Sequence, residues 1–179
     1  MKFCAIVAVE NSGGIGIKNS LPWKISEDMT MFREKTIGNG NNAIIMGRKT
    51  HESIGMLLGK RENIIITRNK TYKSPIQKMS TNNVNPVIFN NVEDCLNYTK
   101  EKEFDTVWVI GGEEIYSLFL SQVDDIYITQ VIKDIDCDAY FPIQWVEENY
   151  SLVNATRKIV ADQKEQKLCE IVFKQYSRK

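Results

Sequence analysis

The sequence is short of the residues that build metal sites, disulfide frameworks and membrane spans. Its 179 residues hold one histidine, His51, and four cysteines, Cys4, Cys95, Cys137 and Cys169, with no C-x-x-C pair. A zinc site would have to gather that lone imidazole with cysteines from distant parts of the chain, so no metal is expected. Scattered thiols are the pattern of a reducing compartment, and a cytoplasmic location is expected. No apolar run approaches the ~18 residues of a membrane span. Phe3–Val9 is apolar but runs straight into Glu10, and reads as a first strand rather than a leader. Neither charge is in excess: 23 Lys and Arg stand against 23 Asp and Glu. A nucleic-acid binder carries a basic surplus, so neither nucleic acid nor a membrane is an expected partner. Internal repeats and linker-like stretches are also missing. What remains is an ordinary globular balance, 42% hydrophobic and 26% charged. The length is close to one domain of about 150 residues, and a chain of this size buries roughly 70% of its extended surface.

Strand and helix patterns alternate along the chain. Phe3–Val9, Ala43–Met46, Asn63–Thr67, Val87–Phe89 and Thr106–Ile110 are short apolar runs of the kind buried on both faces of a sheet. Ser26–Thr36 reads as a helix with Ser26 as N-cap and Glu27 and Asp28 in its first turn. Thr50–Leu57, Val92–Lys102 and Glu113–Leu120 read as further helices, the second with Val92, Cys95, Leu96 and Thr99 on one face. Ile126–Ile132 alternates like a half-exposed strand, and Ser151–Val160 with Lys167–Tyr176 reads as a closing antiparallel hairpin. Two Asn-rich stretches, Gly38–Asn42 and Thr81–Asn91, read as loops or turns. The expected fold is α/β: a single domain spanning 1–179, with a mixed, mostly parallel sheet flanked by helices and ending in an antiparallel hairpin. Ligands of such sheets sit off the carboxyl ends of the strands.

Four features lie at or near those ends. Met46-Gly47-Arg48-Lys49-Thr50 and Ile110-Gly111-Gly112-Glu113 each join a strand to a helix through glycine, which admits close backbone approach to a phosphate. Each is also what an ordinary tight turn looks like, and there is no G-x-G-x-x-G fingerprint. Asp28 is either a solvated first-turn acid or a lone carboxylate looking into an apolar pocket beside Met29 and Phe32, where its pKa would be raised. Leu21-Pro22-Trp23 follows a glycine-rich loop and reads either as a lid or as a loop whose tryptophan anchors it in the core. Arg61 belongs either to a solvated cluster with Lys60 and Glu62 or to a carboxylate site.

Taken in order, these residues resemble the dihydrofolate reductase family. The likeness rests on Ile6-Val7-Ala8-Val9, Gly14-Ile15-Gly16, Leu21-Pro22-Trp23, Asp28, Phe32, Met46-Gly47-Arg48-Lys49-Thr50, Glu52-Ser53-Ile54-Gly55, Arg61-Glu62-Asn63, Ile110-Gly111-Gly112, Ile115-Tyr116, Tyr127-Ile128-Thr129 and Asp138-Ala139-Tyr140-Phe141-Pro142, over roughly residues 3 to 176. It implies hydride transfer from NADPH to C6 of dihydrofolate, with a proton delivered to N5. By resemblance Asp28 binds the pterin and promotes N5 protonation, Thr129 hydrogen-bonds that carboxylate, Trp23 holds a nearby water, and Leu21 joins them at the catalytic centre. Ile6 and Ile110 would accept from the pterin through their carbonyls, and Val7, Met29, Phe32, Ile54, Leu58 and Tyr116 would complete the substrate pocket. Arg61 would pair with the substrate's glutamate carboxylate. Ala8, Ile15, Gly16, Gly47, Arg48, Lys49, Thr50, Thr67, Arg68, Gly111, Gly112, Glu113, Ile115 and Tyr116 would surround NADPH, with the Gly111–Gly112 bond cis. NADPH is expected over NADH, because Arg48, Lys49 and Arg68 suit a 2′-phosphate and no acid is placed to grip a ribose hydroxyl. Antifolate inhibitors are expected ligands, and a monomer is expected.

The chain departs from the family pattern at several points. Gly59-Lys60 stands where a glycine commonly precedes the arginine, Cys137 where some members carry a glycine, and Glu114 where other members are neutral or basic. His51 stands at a position often aromatic and is expected to pack on the helix surface. Two rivals are a reductase domain of riboflavin biosynthesis, which would lack the carboxylate after Pro22-Trp23, and a non-catalytic folate- or NADPH-binding module, which should show decay at Trp23, Asp28 or Gly111–Gly112. A fused thymidylate synthase is not expected in a chain ending at Lys179.

Overall fold

The computed structural model describes residues 1–76 and 85–179. Among the described residues, ten strands and five helices follow one another: β1 (Lys2–Val9), β2 (Gly14–Gly16), α1 (Ser26–Ile37), β3 (Asn42–Gly47), α2 (Arg48–Ile54), β4 (Arg61–Ile66), β5 (Val87–Phe89), α3 (Val92–Lys102), β6 (Thr106–Gly111), α4 (Glu113–Phe119), β7 (Asp125–Val131), β8 (Ala139–Tyr140), α5 (Ile143–Asn149), β9 (Tyr150–Asp162) and β10 (Lys167–Arg178). Eight strands form one sheet in the order β5-β4-β3-β6-β1-β7-β10-β9, and β2 pairs with β8 apart from it. From β5 to β7 every neighbour is parallel, and β10 turns antiparallel against β7 and β9. The expected architecture is thus present, closing hairpin included.

The period of two along the buried strands sends alternate side chains into two cores. Ala5, Val7 and Val9 of β1 join Ala43 and Ile45 under α3, α4 and α5. Cys4 and Ile6 join Ile44, Met46, Ile65 and Trp108 on the opposite face, where Met31 and Phe32 of α1 cover them. Asn42 ties the start of β3 to its surroundings, its Nδ2 donating to the Thr36 carbonyl (3.0 Å) and its Oδ1 accepting from Thr106 N (3.0 Å).

Several details correct the sequence expectation. Ser26 is the first helical residue rather than the cap; Ile25 is the N-cap, with no side-chain bond, and Ser26 Oγ accepts instead from Gln163 Nε2 at 2.8 Å. α2 starts at Arg48 and stops at Ile54, because Gly55 adopts the left-handed conformation (φ +75°) that ends a helix. β7 is not half-exposed: it lies inside the sheet, and Thr129 is fully buried. His51 does not pack on the surface but is fully buried, its Nε2 2.6 Å from Ser74 Oγ. The loop reading of Thr81–Asn91 falls partly outside the described residues; Val87–Phe89 within it is β5, and Asn91 caps α3 by accepting from Asp94 N at 2.8 Å.

Candidate active site

Five expected pocket residues pack together. Ile6, Phe32, Ile54, Leu58 and Ile110 share the cluster that α1 covers, with Trp108 and Tyr127. Three do not join it. Val7 faces the other core by strand alternation, Met29 is 55% exposed, and the Tyr116 ring packs with the other core while its Oη donates to the Ile6 carbonyl at 2.8 Å. That carbonyl keeps a second lone pair for a ligand.

Asp28 lies in the first turn of α1, where the helix dipole favours an acid. The residue keeps some surface in solvent, yet its carboxyl end is desolvated. Burial raises its pKa above the ordinary carboxylate value, and the nearby Thr129 hydroxyl pulls the other way without reversing the shift. Thr129 does not make the expected bond: among the described residues its buried Oγ1 has no hydrogen-bond partner, and neither has the buried Trp23 Nε1. A buried polar atom left unpaired costs about 1–3 kcal/mol, so both atoms fit a pocket built to receive a polar ligand or water. Asp28 also acts on Tyr116, whose hydroxyl burial, chiefly, and then the Asp28 charge push up in pKa. Trp23 itself is an anchor rather than a lid, packed with Ile25, Val131, Val160 and Ile171, whereas Leu21 is 45% exposed and its carbonyl takes the Lys164 ammonium.

Glu10 is a buried, loop-holding acid that sequence reasoning passed over. It is buried at the end of β1, and its carboxylate accepts from Ser12 N (2.8 Å), Gly14 N (2.8 Å) and Ile135 N (3.3 Å) and from the Ser12 hydroxyl. Burial alone would raise its pKa; those four donors more than reverse that, and the pKa is lowered. The glycine loop that carries Ile15 and Gly16 is thereby fixed to the segment after β7. An acid between a buried strand and a Ser-Gly-Gly turn was the available signal.

Along the carboxyl ends of β3 and β6 the glycines sit close together. A Cβ on Gly47 would lie 3.0 Å from Ile115, one on Gly111 (φ +113°) 3.1 Å from the Tyr116 ring, and one on Gly112 3.6 Å from Thr50 Oγ1. The Gly111–Gly112 bond is cis. Gly47 and Gly112 cap α2 and α4 with no side-chain bond, leaving first-turn N–H groups for a ligand. Ala8, one residue before the end of β1, is half-buried against the Trp23 cluster, and Thr67 follows β4, its Oγ1 accepting from Asn69 N at 3.2 Å. Lys49 and Glu113 are exposed. Two of the cations are paired with acids: Arg48 with Glu52 at 2.9 Å and Arg68 with Glu114 at 3.2 Å.

Arg61 is half-buried at the start of β4. Its Nε donates to the Gly59 carbonyl (2.8 Å) and its Nη1 to Thr36 Oγ1 (2.9 Å). Burial, then the neighbouring Arg33, lowers its pKa. Among the described residues no carboxylate pairs with it, so the solvated Lys60-Arg61-Glu62 cluster is not what forms.

An apolar cluster beside a desolvated carboxyl, with a glycine-lined edge at the carboxyl ends of the strands, is the arrangement of an α/β enzyme whose ligands sit off that edge. Comparison narrows the class. A family profile described as dihydrofolate reductase matches residues 2–178. A dihydrofolate reductase of Buchnera aphidicola is 37% identical over 142 residues, 79% of this chain and 78% of that protein. One of Haemophilus influenzae is 36% identical over 149 residues, 82% and 83% of the two chains. The dihydrofolate reductase of Enterococcus faecalis, solved with NADP(H) and RAB-propyl, superposes with a TM-score of 0.81 at 28% identity, covering 99% of this chain and 96% of that one. The chain belongs to the dihydrofolate reductase family, and as such is an oxidoreductase.

Proposed function

We propose that the chain reduces 7,8-dihydrofolate to 5,6,7,8-tetrahydrofolate at the expense of NADPH, with hydride transfer to C6 and protonation of N5, and so supplies one-carbon metabolism. The observation that carries this reading is Asp28, a desolvated carboxyl with raised pKa near Thr129, whose buried Oγ1 lacks a partner among the described residues, as does the buried Trp23 Nε1. Asp28 holds the pterin by its amino group and N3 and, through a water that Trp23 orients, promotes protonation at N5. Thr129 steadies the carboxylate, and Leu21 shields the centre from solvent. The Ile6 and Ile110 carbonyls receive the pterin's far side, Phe32, Ile54 and Leu58 pack the ring system, and Arg61 takes the glutamate carboxylate.

When bound, NADPH supplies the hydride. Gly47, Arg48, Lys49 and Thr50 at the start of α2, Thr67 and Arg68 after β4, and Gly111, Gly112, Glu113, Ile115 and Tyr116 around the start of α4 would hold it, together with Ala8, Ile15 and Gly16. Antifolate inhibitors bind at the same acid. The chain acts as a cytoplasmic monomer without nucleic-acid or membrane partners; among the described residues no helix is long and apolar enough to cross a membrane. NADPH oxidation, followed by absorbance with and without dihydrofolate, tests the reading. Oxidation that depends on dihydrofolate is expected, and none above background would overturn it.

A further inference from the structure

The ion pair between Arg68 and Glu114 joins two elements far apart in sequence. Arg68 lies two residues beyond the end of β4, and Glu114 is the second residue of α4, just beyond β6. The strands they follow are not neighbours: β3 runs between them, and its carboxyl end is Gly47. The pair, 3.2 Å from Nη2 to Oε1 and 3.4 Å to Oε2, therefore crosses over the glycine junction where the phosphate-bearing ligand is placed. Both side chains are largely exposed, at 87% and 64%, so folding does not depend on the contact.

Its position along the sheet edge says which end of a dinucleotide meets it. Asp28 and Thr129 work beside β1 and β7. From β1 the order runs through β6 and β3 to β4, three inter-strand steps or about 14 Å. A nucleotide whose reactive ring lies near Asp28 extends away from it along this edge and brings its adenosine end to Arg68. The arginine there is not wholly free to receive a phosphate, because both Glu114 oxygens engage its Nη2, and the other arginine of the edge, Arg48, is paired through its Nη1 with Glu52 at 2.9 Å.

We propose that Glu114 moderates the nucleotide preference of this chain by competing with the ribose 2′-phosphate for Arg68. The proposal rests on the NADPH reading above and adds to it a residue that opposes the cofactor. Glu114 acts twice against a 2′-phosphomonoester: it occupies the guanidinium, and its own charge repels the dianion. It has no such effect on a nucleotide with a free 2′-hydroxyl. The carboxylate therefore moderates a preference that Arg68 creates, and the chain discriminates between the two nucleotides less sharply than its cations alone would.

Equilibrium titration of intrinsic tryptophan fluorescence with NADPH and with NADH tests this without turnover. An exposed pair of this kind carries little energy, so Glu114→Gln should tighten NADPH by about two- to fivefold at low salt and leave NADH unchanged. The gain should shrink as ionic strength rises. Arg68→Met should weaken NADPH selectively, and in that background Glu114→Gln should recover only part of its effect, the part due to direct repulsion. An unchanged NADPH dissociation constant in Glu114→Gln overturns the proposal, as does an equal change for NADH, which would place Glu114 against a part common to both nucleotides. A wild-type chain that binds neither nucleotide overturns the cofactor reading itself, and the proposal with it; binding of NADPH by wild type separates the two failures.

Discussion

Replacing Asp28 by asparagine keeps the shape and hydrogen-bonding reach of the side chain but removes its ability to ionise. The pocket makes this informative because the wild-type carboxyl is desolvated and its pKa raised, so it titrates nearer neutrality than a surface acid. Above its apparent pKa in the substrate complex, wild type should lose about tenfold in hydride-transfer rate per pH unit. Positioned proton transfer is worth about 10²–10⁴-fold, or about 2.7–5.4 kcal/mol of barrier, and the variant should lose that much at neutral pH. It should recover at low pH, where solvent protonates N5 unaided. The nucleotide meets other residues, so NADPH affinity should hold. Single-turnover hydride transfer in both proteins from about pH 5 to 9 is the assay. Stability gives a second readout whose sign is fixed. A folded pKa above the unfolded one means that the native state binds the extra proton, so ionisation of Asp28 subtracts stability as pH rises through the folded value. Asp28→Asn should melt no differently from wild type below the ordinary carboxylate pKa, and higher than wild type at neutral pH. A variant within a few-fold of wild-type rate across the whole range, and with no stability gain at neutral pH, would make Asp28 a merely solvated helix-start acid.

Arg61→Leu should raise the KM for dihydrofolate by about ten- to a hundredfold with kcat nearly unchanged, since a charge-assisted bond far from C6 is uniform binding worth about 1.5–3 kcal/mol. Thr36 Oγ1 keeps its bond to the Phe32 carbonyl (2.8 Å), so the fold should survive, and an unchanged KM alongside a raised one in Lys60→Ala would move the role to Lys60. Lys133→Met strips the fully buried Asp162 of a 2.5 Å partner, leaving only the Lys24 and Lys164 N–H groups on its carboxylate. The loss should be about 3 kcal/mol at neutral pH, a melting shift on the order of 10 °C. Burial alone would raise the Asp162 pKa, and the Lys133 and backbone bonds more than reverse it. The wild-type advantage should therefore be complete above the ordinary carboxylate pKa and fade as pH falls through the depressed one; calorimetric melts at about pH 7 and pH 3 would show it, and equal melting of the two proteins at neutral pH would refute it.

What the sequence disclosed of the fold follows from how local each signal is. α3 was legible to the residue at both ends, because Asn91 caps it within its own first turn and the left-handed Glu103 ends it. The end of α2 was misread, although Gly55 was there to mark it. β2, β8 and α5 span three, two and seven residues, too short for a period to stand out. β7 alternates because Tyr127, Thr129 and Gln130 are polar or amphipathic, and polarity was taken for exposure. The structure instead lays Lys35 of α1 4.3 Å over the Tyr127 ring and closes the sheet over Thr129, a tertiary fact that no window along the chain contains.

The candidate site divides along the same line. The apolar wall was readable, since a strand with period two commits Ile6 and Ile110 to a face once their neighbours are known to be buried. The charges were readable only as residue types. Whether Asp28 is solvated, whether Arg61 has a carboxylate beside it and whether Arg68 is free are questions about partners 25 to 101 residues away, and each has its own answer. Asp28 is placed by its helix and desolvated by residues from other elements. Arg61 is held by Thr36 and left without an acid among the described residues. Arg68, the most exposed of the three, is the one already engaged, by Glu114, 46 residues along the chain. A helix dipole or a strand end can recruit a charge, but only the fold decides what that charge is left to bind, and for Arg68 that difference is between a phosphate site and a contested one.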